Sequence, residues 1–168
     1  MHPTLEQIQA RLLSATEGMT PSQWSQHPDG KWCAAEVLEH LSLTYSRTAT
    51  GMQRILAAGQ PNATPLTFKQ RLGILMVVEV GRFPEGREAP KQVRPTGSQD
   101  GDKVLVETLE HLTNMDAAIT ACEQRFGAKT RLLDHPILGA LTARQWRKFH
   151  AIHARHHAPQ IERLRRQS

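Results

Sequence analysis

The sequence predicts an all-α protein that folds as a helix bundle. Several long segments carry apolar residues every three to four positions, which is the spacing of one face of a helix. Proline and glycine cluster between these segments, and no convincing pair of segments shows the alternation expected of strands. The 168 residues fit one domain of ordinary size, so we expect a single helical domain over residues 1–168.

Two helices are predicted in the first third of the chain. The first covers residues 4–17 and ends at Gly18, a residue that commonly stops a helix. Turn-forming residues, Asp29 among them, interrupt the pattern over residues 19–30. The second helix covers residues 34–58, where the apolar residues form one continuous stripe.

The middle of the chain predicts a short helix and a long loop. Residues 67–80 are apolar on more than one side, so we expect this helix to be well buried or to lie at a contact between subunits. Val77 and Val78 would also suit a strand, but no second strand is available to pair with it. The segment 82–100 is predicted as a loop because it contains Pro84, Gly86, Pro90, Pro95 and Gly97.

The last third of the chain predicts two long helices. One covers residues 102–126 and is followed by Gly127, which suits the position after a helix. Residues 128–141 are expected to be irregular. The final helix covers residues 142–166, and Pro159 inside it should kink it.

Composition argues against several classes of protein. The net charge is +5, but the basic residues form no long tract, so we expect no nucleic-acid binding. No apolar run reaches the roughly 18 residues of a membrane-spanning helix. The first ten residues lack the apolar core of a secretory signal. We therefore expect a cytoplasmic protein without membrane contact, with Cys33 and Cys122 as free thiols.

Four of the nine histidines fall in the last predicted helix: His150, His153, His156 and His157. His153 and His157 are four residues apart and share a face with Trp146 and Phe149. Two inward-facing imidazoles need partners, because burying a polar group without a hydrogen bond is costly. One divalent metal ion would satisfy both. The alternative is a pair of core histidines bonded to backbone or carboxylate groups.

A third metal ligand would have to come from another helix. His40, at the edge of the apolar stripe of the second helix, is the natural choice. His150 is the main rival, and His111 in the predicted helix over residues 102–126 is a weaker one. Glu36 and Glu39 could bind the metal or support a ligand, although a solvated helix face is the favoured interpretation of both.

Two segments resemble proteins of the DinB-like superfamily. The segment GKWCAAEVLEHL, with Trp32 before a helix and His40 inside it, resembles the second helix of these proteins. The segment DHPILGALTARQWRKFHAIHARHHAPQIERL resembles the C-terminal part of one branch, in which His-Pro, Gly and Leu-Thr precede a Trp and a His is followed by His-His. The resemblance spans most of the chain, and its specific part is this C-terminal segment.

The resemblance implies a four-helix bundle of the DinB-like type, here with an extra short helix and long loops, that commonly forms a homodimer. It also implies a site for a divalent metal ion, with zinc or nickel favoured over iron or manganese. Carried over by position, the ligands are His40, His153 and His157. Some DinB-like proteins resemble transferases or isomerases that use a low-molecular-weight thiol, and a small-molecule substrate or thiol is the expected partner.

Three hypotheses for function follow. The first is a metal-dependent enzyme, such as a thiol S-transferase or a related hydrolase or isomerase, since a metal on neutral histidines can lower the pKa of water or of a thiol. No residue stands out as its general base. The second is a non-catalytic, metal-stabilised binding or stress-related protein. The third is a purely structural bundle with hydrogen-bonded core histidines.

Overall fold

The computed structural model describes four stretches of the chain: residues 1–28, 30–83, 88–97 and 100–166. The structure is mostly helical, at 69%, which confirms the predicted class in its broad form. A small two-stranded sheet corrects the expectation that no strands are present. Asp29, Pro84 and Gly86, which contributed to the predicted turns and loop, lie outside the described residues.

Six α-helices occur within the described residues: α1 (Pro3–Thr16), α2 (Pro21–Ser25), α3 (Ala34–Ala58), α4 (Phe68–Gly73), α5 (Gly101–Phe126) and α6 (Ala143–Arg166). The four long ones, α1, α3, α5 and α6, begin and end within one residue of their predicted positions. α3 packs along α5, α1 packs along α6, and contacts between α3 and α6 connect the two pairs. A four-helix bundle of the DinB-like type stays a prediction.

The short helix α2 lies in a segment predicted to be irregular. Thr20 caps it, because the Thr20 side chain accepts a hydrogen bond from the backbone of Gln23, whose side chain accepts one from the backbone of Thr20. Pro21 occupies the first turn, where its missing N–H costs nothing. Trp24 is buried. The Thr-Pro-x-Gln pattern was therefore a usable helix signal.

The helix predicted over residues 67–80 forms as α4 followed by a π-helical segment, Ile74–Glu79. Only one of its faces is buried, through Ile74, Val77 and Val78. The expectation of full burial is wrong for the other side, where large apolar side chains are exposed: Phe68, Leu72, Leu75, Met76 and Val80. The other possibility, a contact between subunits, stays a prediction.

The segment 128–141 was predicted to be irregular, but it contributes to a β-hairpin. Strand β1 (Arg131–His135) pairs antiparallel with β2 (Gly139–Thr142). Gly139 has a φ of 71°, a conformation that favours glycine, and opens the second strand. β1 packs against α3 and β2 against α6, so the hairpin carries His135 to the junction of these helices.

Two expectations from composition can be compared with the structure. Cys33 and Cys122 are both free thiols, as predicted, and both are buried. In the part of the chain that the structure describes, no helix combines the length and the apolar character needed to cross a membrane.

A charged side chain, Arg147, is buried between α5 and α6. Its Nη1 donates a hydrogen bond to Glu123 Oε2 at 2.6 Å, and its Nη2 donates one to Thr120 Oγ1 at 3.0 Å. Its Nε lies 3.6 Å from Asp116 Oδ1. The other oxygen of Asp116 accepts a hydrogen bond from the backbone N–H of His2 at 2.8 Å. These contacts fasten both α6 and the segment before α1 to α5.

Replacing Arg147 with methionine should lower the free energy of unfolding by about 3–5 kcal/mol, because the buried Asp116 loses its compensating charge. Arg144→Met is the matched control. Arg144 is 65% exposed and pairs with Glu79 at 2.8 Å, so its loss should cost under about 1 kcal/mol. Urea denaturation measures both values, and equal losses in the two variants would contradict a structural role for the buried pair.

Candidate metal centre

Three histidine side chains converge between α3 and α6. His40 comes from α3, while His153 and His157 come from successive turns of α6. The Nε2 atom of His153 lies 3.1 Å from Nε2 of His40 and 3.0 Å from Nε2 of His157. All three side chains are buried, and their ligand atoms lie within 4.8 Å of one another. We call these residues the three-histidine group.

Hydrogen bonds at the far side of two rings determine which nitrogen carries the proton. Nδ1 of His40 lies 2.7 Å from the carbonyl oxygen of Val93, which can only accept. Nδ1 of His157 lies 2.9 Å from the amide oxygen Oε1 of Gln160. A neutral imidazole has one N–H, so each ring donates from Nδ1 and presents a bare lone pair at Nε2.

The remaining ring, that of His153, cannot satisfy both neighbours. Its Nε2 faces the bare Nε2 atoms of His40 and His157 but can donate at most one hydrogen. Its Nδ1 is buried and has no hydrogen-bond partner among the described residues. Hydrogen bonds within the group therefore leave at least one nitrogen unsatisfied, whereas one cation would use all three Nε2 lone pairs. The donor set fits a divalent metal ion.

The spacing of the nitrogen atoms agrees with this conclusion. Two nitrogens bound to zinc at 2.0–2.1 Å in a tetrahedral arrangement are about 3.3 Å apart. The separations of 3.0 and 3.1 Å from His153 Nε2 are close to that value. The rings of His40 and His153 also lie perpendicular to each other, so they do not stack face to face. Small side-chain shifts would bring the group into ligating positions.

The electrostatic environment keeps the three imidazoles neutral. Burial lowers the pKa of His157 to about 4. Burial also lowers the pKa of His40, and it lowers the pKa of His153 well below its usual range, with a further decrease from the neighbouring histidines. Metal ligation requires the neutral form, so the group is in the correct protonation state near pH 7.

The predicted long loop contributes to the site through its backbone. The carboxylate of Glu39 on α3 accepts hydrogen bonds from the backbone and hydroxyl of Thr96 at 2.9 and 2.8 Å and from the backbone of Gly97 at 3.2 Å. These bonds hold the segment over residues 93–97 against α3. The carbonyl group of Val93, in the same segment, orients His40. Glu39, considered from the sequence as a possible ligand or support, is thus a positioning residue. No side-chain signal could have pointed to Val93, since its carbonyl group makes the contact.

Glu36 and Cys33 have a different role, at the start of α3. Glu36 accepts a hydrogen bond from the backbone of Cys33 at 2.9 Å and contacts Nε2 of His27 at 2.9 Å. His27, Cys33 and Glu36 form a second group of possible ligand atoms. Burial raises the pKa of the Cys33 thiol, which disfavours the thiolate that metal binding needs. Helix capping accounts for the hydrogen bond from the Cys33 backbone to Glu36.

His150, the main rival ligand, is directed elsewhere. Its Nε2 lies 3.1 Å from Oγ1 of Thr48, whose hydroxyl donates to the carbonyl of Thr44 at 2.9 Å. Its ring stacks on Trp146 and meets the edge of Tyr45. Burial lowers the pKa of His150 to about 3. It is a buried, hydrogen-bonded neighbour of the three-histidine group and does not belong to it.

His111, the weaker rival, lies in a separate polar cluster. Its Nδ1 is 2.8 Å from Ser42 Oγ and 3.9 Å from Glu107 Oε1. A serine, a histidine and a carboxylate together suggest a hydrolytic triad. In a triad, however, the hydroxyl and the carboxylate use opposite ring nitrogens. Here both approach Nδ1, so the cluster does not have the arrangement of a nucleophilic site.

A cavity of about 370 Å³ adjoins the three-histidine group. Its volume is in the range of sites for small molecules. Most of its wall is apolar or aromatic, and His40 and His153 also line it: the other wall residues include Val77, Phe83, Leu133, Leu138, Trp146 and Phe149. The Phe83 ring stacks on His153, with 5.2 Å between ring centroids. The site therefore combines a metal-type donor set with a space for an organic ligand.

Sequence reasoning missed several residues of this cavity, and His135 is the clearest case. Its Nδ1 accepts hydrogen bonds from the backbone N–H groups of Ile137 and Leu138, both at 3.2 Å, so its Nε2 carries the hydrogen. Its ring meets the edge of Phe149 at 4.5 Å between centroids. Burial lowers its pKa to about 4. Without the hairpin, nothing in the sequence placed His135 near α6.

Comparison with known proteins identified one family. A family model described as "Protein of unknown function (DUF1569)" matches residues 7–164, which include the whole three-histidine group. No curated protein and no solved structure matches the chain.

The buried neutral histidines should make the metal-free protein sensitive to weak acid. Unfolded histidines bind protons below about pH 6.5, but folded His135 and His157 do so only near pH 4 and His150 near pH 3. The unfolded state therefore binds more protons in this window, and the free energy of unfolding should fall as the pH falls from about 6.5 to 4.

Urea titrations at a series of pH values measure this slope. His150→Gln should reduce it by about 1 kcal/mol per pH unit between pH 6 and 5, because one buried site is removed. Gln53→Ala, a change at an exposed residue that does not titrate, is the control and should leave the slope unchanged. An unchanged slope in His150→Gln would mean that this residue is protonated in the folded state.

Proposed function

The chain belongs to the DUF1569 family, and we propose that it is a divalent-metal-binding protein that acts on a small molecule. The proposal includes membership of the DinB-like superfamily and a metal-dependent reaction, such as thiol S-transfer or a related hydrolysis or isomerisation. The observation that carries it is the three-histidine group, in which buried Nε2 atoms only 3.0–3.1 Å apart cannot satisfy one another with hydrogen bonds.

The architecture supports the DinB-like part of the proposal. Four long helices, α1, α3, α5 and α6, pack on one another, as a four-helix bundle requires. The exposed apolar side chains around α4 support the accompanying proposal of a homodimer, since such patches commonly mark contacts between proteins.

The ligand set favours zinc or nickel over iron or manganese. All three ligands are imidazoles, which suit zinc, nickel and iron, but such sites bind Ni²⁺ and Zn²⁺ more tightly than Fe²⁺ in the usual order of affinities, and manganese prefers oxygen ligands. Three protein ligands are also typical of catalytic zinc sites, which keep a position for an exogenous molecule. When bound, such a metal supplies Lewis acidity, which lowers the pKa of a coordinated water or thiol.

Hydrogen bonds to neighbouring residues orient the three-histidine group for metal binding. The Val93 carbonyl and the Gln160 side chain hold the rings of His40 and His157, so that their Nε2 lone pairs are directed at His153. Partners of this kind at the far ring nitrogen are the usual way in which a metal-binding histidine is oriented. The adjoining cavity has mainly apolar and aromatic walls.

A non-catalytic metal-stabilised or stress-related protein is the second candidate. It would use the same ligands without turnover. One observation favours it. The carboxylate that lines the cavity, Asp134, accepts hydrogen bonds from the backbone and the hydroxyl of Thr64 at 3.1 and 2.6 Å. Within the described lining, no unpaired carboxylate is therefore available as a general base.

Protein purified without chelator or histidine tag should contain about one divalent ion per chain. His153→Ala should lose it, because His153 is the central member of the group. His150→Gln should keep it, since that side chain is bonded to Thr48. Elemental analysis by mass spectrometry measures the content. Wild-type protein that stays free of metal after incubation with zinc, nickel or manganese would overturn the proposal.

Turnover separates the enzyme from the binding protein. Metal-loaded protein should accelerate the reaction of cysteine with 1-chloro-2,4-dinitrobenzene, in which the thiol releases its proton to solvent, a C–S bond forms and the C–Cl bond breaks to release chloride. His157→Ala should lose about 100-fold or more in rate if the metal is required. The absorbance of the dinitrophenyl product follows the reaction, with the chelator-treated wild type as control. Full metal content without turnover over a panel of small thiols and electrophiles would favour the binding protein.

A further inference from the structure

The wall of the cavity beside the three-histidine group includes one positively charged side chain, that of Arg47. Arg47 lies on α3 seven residues after His40, so the two residues share one face of the helix. Seven residues correspond to roughly 10 Å along a helix axis. Both side chains line the cavity, together with Thr44 between them. The cavity therefore extends along α3 from the metal-type ligands towards a guanidinium group.

The Arg47 guanidinium is positioned but not neutralised. Its Nε donates a hydrogen bond to the backbone carbonyl of Gln92 at 2.7 Å, which fixes the plane of the group. Its two Nη atoms form no hydrogen bond or ion pair within the described stretches of the chain. An oriented pair of N–H donors with a full positive charge is well suited to a carboxylate.

No free negative charge competes for Arg47 among the described lining residues. Asp134 is the acidic residue there, and its two oxygens accept hydrogen bonds from Thr64. The rest of the wall is formed mainly by apolar side chains such as Phe83, Leu133 and Phe149, which suit an apolar ligand body.

We propose that this cavity binds a small organic acid with an aromatic or branched aliphatic body, with its carboxylate on the Nη atoms of Arg47. The opposite end of the molecule faces the three-histidine group. This inference deepens the proposed function and rests on it, because it names the class of substrate that the metal centre would meet.

The test uses the zinc-loaded full-length protein and two matched probes. Both are cinnamohydroxamates, whose hydroxamate group chelates zinc. One carries a 4-carboxylate and the other a neutral 4-carboxamide. Calorimetry should show that the wild type binds the acid about fivefold more tightly than the amide, as expected for one exposed charged hydrogen-bond pair. Added salt should reduce the preference.

Two variants locate the preference. Arg47→Gln should bind the acid and the amide equally. Arg54→Gln should keep the wild-type ratio, because Arg54 lies one further heptad along α3 and, although exposed like Arg47, does not line the cavity. Both variants lose the same charge, so an effect of net charge alone would appear in both and would contradict the assignment to Arg47.

The outcomes separate this proposal from the proposed function. If zinc binds but the acid and the amide bind equally, or neither binds, the organic-acid site is overturned and the metal centre stands. The same comparison is made in metal-free protein with 3-phenylpropanoate and 3-phenylpropanamide. If zinc does not bind, an acid preference that depends on Arg47 in this second pair still supports the anion site, and its absence overturns it.

Discussion

Three buried imidazoles with lone pairs directed at one another are the central constraint of this structure. Each polar atom buried without a hydrogen bond costs about 1–3 kcal/mol. The Nε2 lone pairs of His40 and His157 both face Nε2 of His153, which can donate a hydrogen bond to only one of them. A bound cation would remove this cost, and its binding free energy would stabilise the folded chain. The folding stability and the activity proposed here thus depend on the same atoms.

The constraint depends on how α3 and α6 are held relative to each other. The two helices must keep their relative position for the nitrogens to stay 3.0–3.1 Å apart. Arg147 ties α6 to α5, which itself packs along α3. The hairpin contacts both α3 and α6. A change in any of these contacts would alter the packing of α3 against α6 and therefore the distances between the three histidine side chains.

The segment over residues 92–97 contacts the three-histidine group and also lines the cavity. It is attached to α3 at three places: Thr96 and Gly97 bond to Glu39, Val93 bonds to His40, and Gln92 bonds to Arg47. The same backbone therefore orients a ligand and fixes the guanidinium. Because these bonds share one short stretch of chain, the position of the histidine and the position of the cation are coupled, which suits a site that binds one molecule at both ends.

The sequence by itself determined the four long helices and the pairing of His153 with His157. Both depend on local geometry, because apolar spacing, caps and the separation of four residues act within one segment. From the residues alone, His40 was the natural choice of third ligand, with His150 and His111 as rivals, and the resemblance to DinB-like proteins pointed to the same residue. The tertiary structure decided that His150 bonds to Thr48. It also decided that the hairpin forms, since its strands of five and four residues are too short for a clear pattern. Arg47, Phe83, His135 and the Val93 carbonyl meet at one site only because separate elements cross there, and no segment encodes that crossing alone.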